Sequence, residues 1–216
     1  MALILSGMDE TGDFFSGAVN TARDVLAELV TRAGLHLRPE ILSRGMARQC
    51  RVRLSFLMNY IRQLIFLMAA GMIDTLPPVK PQAGATRTML PDGVEDVTAS
   101  FVAASGPRPW RFALAPAQYV PMPDMPEIPG RLARDDVPAG RFIEQVIVLG
   151  GILADPAPHA KRMARALRRW RTAGEMAPVS LQAVPRFRAG RLAESFAQVL
   201  SVRLNDALAV AWNDTG

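Results

Sequence analysis

From Met46 to Ile73 the chain reads MARQCRVRLSFLMNYIRQLIFLMAAGMI, and no other stretch limits the fold as tightly. Leu42, Met46, Cys50, Leu54, Leu57, Ile61, Leu64, Met68 and Met72 recur at intervals of three and four, which at about 3.6 residues per turn places them on one continuous helical face. Arg48, Arg51, Ser55, Asn59 and Arg62 keep the same rhythm on the opposite face as far as Gln63. From Leu64 to Ile73 there is no charged or amide side chain, so the closing turns must be enclosed by protein or by lipid. A span of the bilayer is not expected. Although residues 54–73 are long enough, Asn59, Arg62 and Gln63 fall near their middle, where one Arg costs about 2.5–3.5 kcal/mol on insertion scales.

The neighbouring patterns supply partners for this helix. Asp13 to Ala33 predicts a first helix, with Phe15, Val19, Ala22, Leu26, Leu29, Val30 and Ala33 inward, Asp13 as N-cap and Gly34 just past the C-terminus. The cluster Asp9, Glu10 and Asp13 is read as capping and dipole charge rather than a metal set, since no second group of ligands accompanies it. Pro39 is placed to start the second helix. Running unbroken to Ile73 it would span about 50 Å, more than a compact domain this size, so a bend or break is expected at Gly45.

Thr75 to Gly140 holds 12 of the 17 prolines, which excludes long helices there. Trp110, Phe112 and Leu114 alternate as a short strand or extended segment would, and Pro121 to Gly130 reads as exposed polyproline-like spacer. Arg141 to Ala154 fits a helix with Phe142, Val146, Leu149 and Leu153 on one face and Gly150 beside it for a close approach; a buried strand over Val146 to Leu149 is the alternative. Asp155 and Pro156 announce a helix to Ala173, stopped by Gly174, with Met163, Leu167 and Trp170 inward. After the basic triplet Arg186, Arg188 and Arg191, the last helix reaches Trp212 with Leu192, Phe196, Leu200, Leu204, Ala207, Leu208 and Ala211 inward.

The fold expected is therefore mainly α: a four- to five-helix bundle with a long proline-rich extended middle segment and room for one short hairpin. Residues 1–76 form an N-terminal helical hairpin, 77–140 a proline-rich wrapping segment, and 141–216 the C-terminal helices that pack on 1–76 as one domain.

Chemistry is sparse. At 216 residues and 50% hydrophobic the chain has ample material for a core, and one cysteine with two histidines leaves neither a disulfide framework nor a Cys/His zinc cluster. Cys50 lies on the core stripe and is read as inert. His36 and His159 read as surface or capping residues. No paired carboxylates, no Ser or Cys with a His partner, and no phosphate-loop spacing appear, so no catalytic, metal or cofactor site is expected and an enzyme is the least favoured class.

Binding is left. A net charge of +5 with a pI near 10.3 is compatible with an anionic partner, yet only Lys80 and Lys161 are lysines, and an arginine-rich, GC-biased, bacterial composition accounts for the charge equally well. Its placement says more: residues 38–73 hold six basic side chains to one acidic, and 141–175 hold seven to three. Lys161, Arg165 and Arg168 fall on one helix face with Arg162 and Arg169 beside it, and Arg48, Arg51 and Arg62 on another, giving two candidate surfaces for phosphates or acidic protein. The expected function is a non-catalytic interaction or scaffold protein with a protein partner or a second copy of itself. The rival is a sequence-nonspecific binder of nucleic-acid backbone through 161–169, and the third reading is peripheral membrane contact through 54–73. No small-molecule substrate is indicated, and the absence of a charged leader makes the cytoplasm the expected location.

Overall fold

A computed structural model describes residues 3–75, 77, 112, 136–178, 185 and 187–213, with the side chains of 3–11 left out. Among them are five α-helices and one two-stranded sheet: α1 (Leu3–Arg32), β1 (Ile41–Ser43), α2 (Arg44–Ala70), β2 (Asp136–Pro138), α3 (Gly140–Ala154), α4 (Ala157–Thr172) and α5 (Arg191–Asn213). The protein is mainly helical, and α2 is its axis, in contact with all four other helices and with both strands. The stripe read from the sequence faces inward, with Cys50, Leu54, Leu57, Ile61 and Leu64 buried, joined by Phe56, Tyr60, Ile65 and Ala69 from flanking positions. Beyond Gln63 the wet face disappears: from Leu64 to Ala70 no residue of α2 is exposed. Other parts of the bundle cover these turns, with Phe66, Leu67 and Met68 left partly buried against the core, and among the described residues no helix is long and apolar enough to cross a membrane.

The helix starts needed correction. Asp13 does not cap α1, because the helix begins ten residues earlier at Leu3 and Asp13 is an exposed interior position. Pro39 does not open α2 either. A 3-10 turn over Leu35–Leu37 and then β1 intervene, and Ser43 is the N-cap, its Oγ accepting a hydrogen bond from the Met46 N–H at 3.3 Å. The break expected near Gly45 is thus real, but the residues before it are extended. They are extended because β1 pairs antiparallel with β2, Ile41 to Pro138, Leu42 to Val137 and Ser43 to Asp136, and the Ala139 N–H donates to Glu40 O. That ladder joins distant parts of the chain, so it is not the local hairpin for which the proline-rich segment left room.

Arg141 to Ala154 is helical, Gly150 and Gly151 included, and Phe142, Leu149, Ile152 and Leu153 are buried. A Cβ at Gly150 would meet Leu26 at an ordinary 4.0 Å, so close packing does not demand glycine there. It does at Gly17, where an added Cβ would lie 2.9 Å from the Phe196 ring of α5. Asp155 ends α3 and leaves the N-cap of α4 to Pro156. In α5 the inward set starts one position later than expected: Ala193 is buried whereas Leu192 is 72% exposed. The C-terminal glycines are as read, Gly34 and Gly174 following α1 and α4 at φ 61° and 71°.

Polar ties fix the bundle. Tyr60 Oη donates to Ala18 O at 3.1 Å, Gln63 Nε2 to Ser201 Oγ at 2.9 Å, and Arg23 Nη2 to Leu153 O at the carbonyl end of α3 at 2.7 Å. Arg171 of α4 reaches both Asp74 and Ala211 O. Trp110, Leu114, the Pro121 to Gly130 stretch and Arg186 lie outside the described residues.

Candidate anion-binding recess

Where α1 ends against the first half of α2, the surface opens into a recess of about 540 Å³ lined by Arg32, Arg48, Gln49, Val52, Arg53, Phe187 and Arg188. The size is that of sites that hold small ligands or single side chains. Helical spacing explains the α2 contribution, since Arg48 with Val52 and Gln49 with Arg53 are each four apart and share a face. Arg32 comes from the last turn of α1, and Phe187 with Arg188 from the segment leading into α5. Phe187 is fixed by an edge-on contact to Phe56 at 5.5 Å, and Arg53 lies over its ring at 4.8 Å.

Arg53 sets the electrostatics. Its side chain is only 9% exposed, and Nη1 lies 3.2 Å from Glu28 Oε1, outside hydrogen-bonding geometry, so that among the described residues this nitrogen has no hydrogen-bond acceptor. The same Glu28 oxygen holds Arg32 at 2.9 Å. One half-exposed carboxylate therefore serves two guanidiniums, while Arg48 and Arg188 stand exposed at the rim. Four positive charges against one negative leave the recess near +3, taking the lining arginines and Glu28 together. Fork-shaped guanidinium donors around an open volume, two of them held by Glu28, suit a carboxylate or phosphate. Among the described residues the lining itself contains no carboxylate, histidine, hydroxyl or thiol, and the adjoining carboxylate is Glu28.

The residues singled out from sequence distribute differently. Arg48 joins the recess. Arg51 is exposed on α2 but does not line it, and Arg62 is half-buried further along, donating to Asn59 Oδ1 at 2.9 Å and lying over Phe112 at 5.1 Å. On α4, Lys161, Arg162, Arg165 and Arg169 are exposed while Ala160, Met163, Ala164 and Leu167 are buried, so the helix does present a cationic strip outward. Arg168, expected at the centre of that strip, is half-buried with contacts of its own, and Arg169 takes its place at the surface. His159 Nδ1 is 3.2 Å from Arg162 Nη2, and burial, then the Arg162 charge, lowers its pKa. Around Cys50 burial outweighs the Arg53 field and pushes the thiol up, away from reactive thiolate. Among the described residues no three His, Cys, Asp or Glu gather as a metal site would require.

Sequence reasoning left out Arg32, Arg53, Arg188 and Phe187. For Arg53 a signal existed. It sits three residues after Cys50 and next to Leu54, on the stripe that periodicity reserves for apolar side chains. A charge at such a position needs a structural partner or a ligand. No known protein family, curated protein or solved structure matches this chain.

Proposed function

We propose that the protein is a non-catalytic helical interaction protein that engages a protein partner through an anionic group seated in the recess. The observation that carries this reading is Arg53, a nearly buried guanidinium with one shared carboxylate among the described residues, lining an open, arginine-rich volume. Burying a charge with incomplete compensation is unfavourable; Arg53 Nη1 is closed to solvent, so an anion in the recess would compensate Arg53 through its charge, while the exposed Arg48 and Arg188 would make the direct hydrogen bonds. Arg48 and Arg188 at the rim would complete the contact, and Val52 and Phe187 give apolar area for the atoms that carry the anion. The test is affinity capture from native extract with wild type and with Arg48→Glu/Arg188→Glu, both exposed positions. Proteins enriched by the wild type and lost from the double variant support the reading; identical recoveries refute it.

A second reading rests on the α4 strip. The exposure of Lys161, Arg162, Arg165 and Arg169 on a helix anchored by Met163 and Leu167 favours contact with a phosphate backbone insensitive to base sequence. Binding of RNA or duplex DNA at low salt, weakening with a log–log slope of about −0.7 to −0.9 per phosphate and lost in Lys161→Glu/Arg165→Glu/Arg169→Glu, would support it.

A further inference from the structure

Which anion fits follows from charge and donor count. The recess excess of about three positive charges comes from the exposed Arg32, Arg48 and Arg188 grouped around the nearly buried Arg53, which shares Glu28, and each guanidinium offers five N–H donors in a fixed plane. A carboxylate or a phosphodiester brings one negative charge and leaves most of the excess in place. A phosphate monoester brings close to two charges at neutral pH and three terminal oxygens, enough to accept from both rim arginines while its charge compensates Arg53 and Glu28 keeps Arg32. We infer that the recess is a phosphate-monoester site, which, resting on the protein-partner reading above, takes a phosphorylated side chain of that partner. Glu28 is the resident counter-ion: its single oxygen between Arg32 and Arg53 keeps the guanidiniums in place before the ligand arrives. Val52 and Phe187 give the lining apolar area on which the carbon of an ester can pack, which would favour an esterified phosphate over the free ion.

The experiment uses a fluorescent phosphoserine peptide of otherwise neutral sequence. Its comparison ligands are the unphosphorylated peptide, the peptide with Glu at that position, an O-methyl phosphodiester version and inorganic phosphate. The phosphopeptide should bind about tenfold or more tighter than each of these, the difference expected when a charge-assisted bidentate contact is gained. Arg53→Met should lose about tenfold or more of that affinity, and Arg188→Gln, exposed and safe for folding, should lose several-fold, while Arg165→Gln on α4 should leave it unchanged. Equal binding of the Glu and phosphoserine peptides would overturn the monoester assignment and leave the protein-partner reading standing; inorganic phosphate binding as tightly as the phosphopeptide would overturn the side-chain assignment. If no anionic peptide binds, both fall, and if Arg165→Gln reduces binding while Arg188→Gln does not, the phosphate sits on α4 and the recess assignment is wrong.

Discussion

The two cationic surfaces are built in opposite ways. On α4 the charges stand side by side on one helix, in water, anchored from below by Met163 and Leu167. In the recess four arginines come from α1, α2 and the segment before α5, and one of them is buried. A solvated row costs the fold little and attracts any polyanion weakly; a buried guanidinium costs desolvation and rewards one particular kind of neutralisation. Convergence and burial, rather than the density of basic residues along the chain, separate the two. The contrast also says where evolution can trade stability for binding: only the recess has something to trade.

The hardest strike at the comparison removes the support beneath each surface. Leu57→Ala in α2 and Leu167→Ala in α4, both fully buried, should each cost about 2–5 kcal/mol in denaturant unfolding. If Leu167→Ala costs under about 1 kcal/mol, α4 is loosely attached and its strip is not a fixed surface. Next comes the recess itself. Glu28→Gln should destabilise by about 1–3 kcal/mol, because it strips the nearest carboxylate from buried Arg53, while Arg53→Met, which keeps the packing on Phe187 and removes the charge, should be neutral or stabilising. In the Arg53→Met background the Glu28→Gln cost should shrink. An undiminished cost there would mean that Glu28 acts through Arg32 alone and that Arg53 carries no electrostatic penalty.

Smaller still is the effect on the strip. Lys161→Glu/Arg165→Glu/Arg169→Glu should shift stability by no more than about 0.5 kcal/mol per site, since solvent screens outward charges. The slightest effect is that of His159, whose pKa lies below its ordinary 6.5. Between that lowered value and 6.5 the folded state binds fewer protons than the unfolded one, so stability complete above this window declines as pH falls through it. Thermal unfolding followed across the window should show a shallow decline that His159→Gln removes; a Tm that rises on acidification would count against it.

Helix content was legible where periodicity was long. The α2 stripe from Cys50 to Leu64 and the glycine stops after α1 and α4 follow from spacing and backbone sterics alone. Elements whose existence depends on a remote partner were not. Nothing local to Ile41–Ser43 announces a strand, because its ladder is completed only by Asp136–Pro138. Leu192 pointing outward has the same origin: Ala193 and Ala197 are buried where α5 packs on α2 and α1, and Phe196 lies against Gly17, contacts that depend on tertiary packing rather than on residue hydrophobicity. The recess escaped for the reason it is interesting, its arginines being scattered in sequence and brought together only by packing.

The β1–β2 ladder fixes two anchor points with a consequence for how the chain assembles. The chain leaves the far end of α2 near Thr75 and must be back beside Ser43, the near end, by Asp136. With 27 residues in α2 the two ends stand about 40 Å apart, a distance that roughly a dozen extended residues could bridge. The connection is several times longer than that minimum, so its length is not dictated by reach. Every contact of α3, α4 and α5 with α2 is made across that long connection, whereas α1 and α2 are neighbours in sequence, so the hairpin of α1 on α2 is expected to form before the C-terminal helices dock.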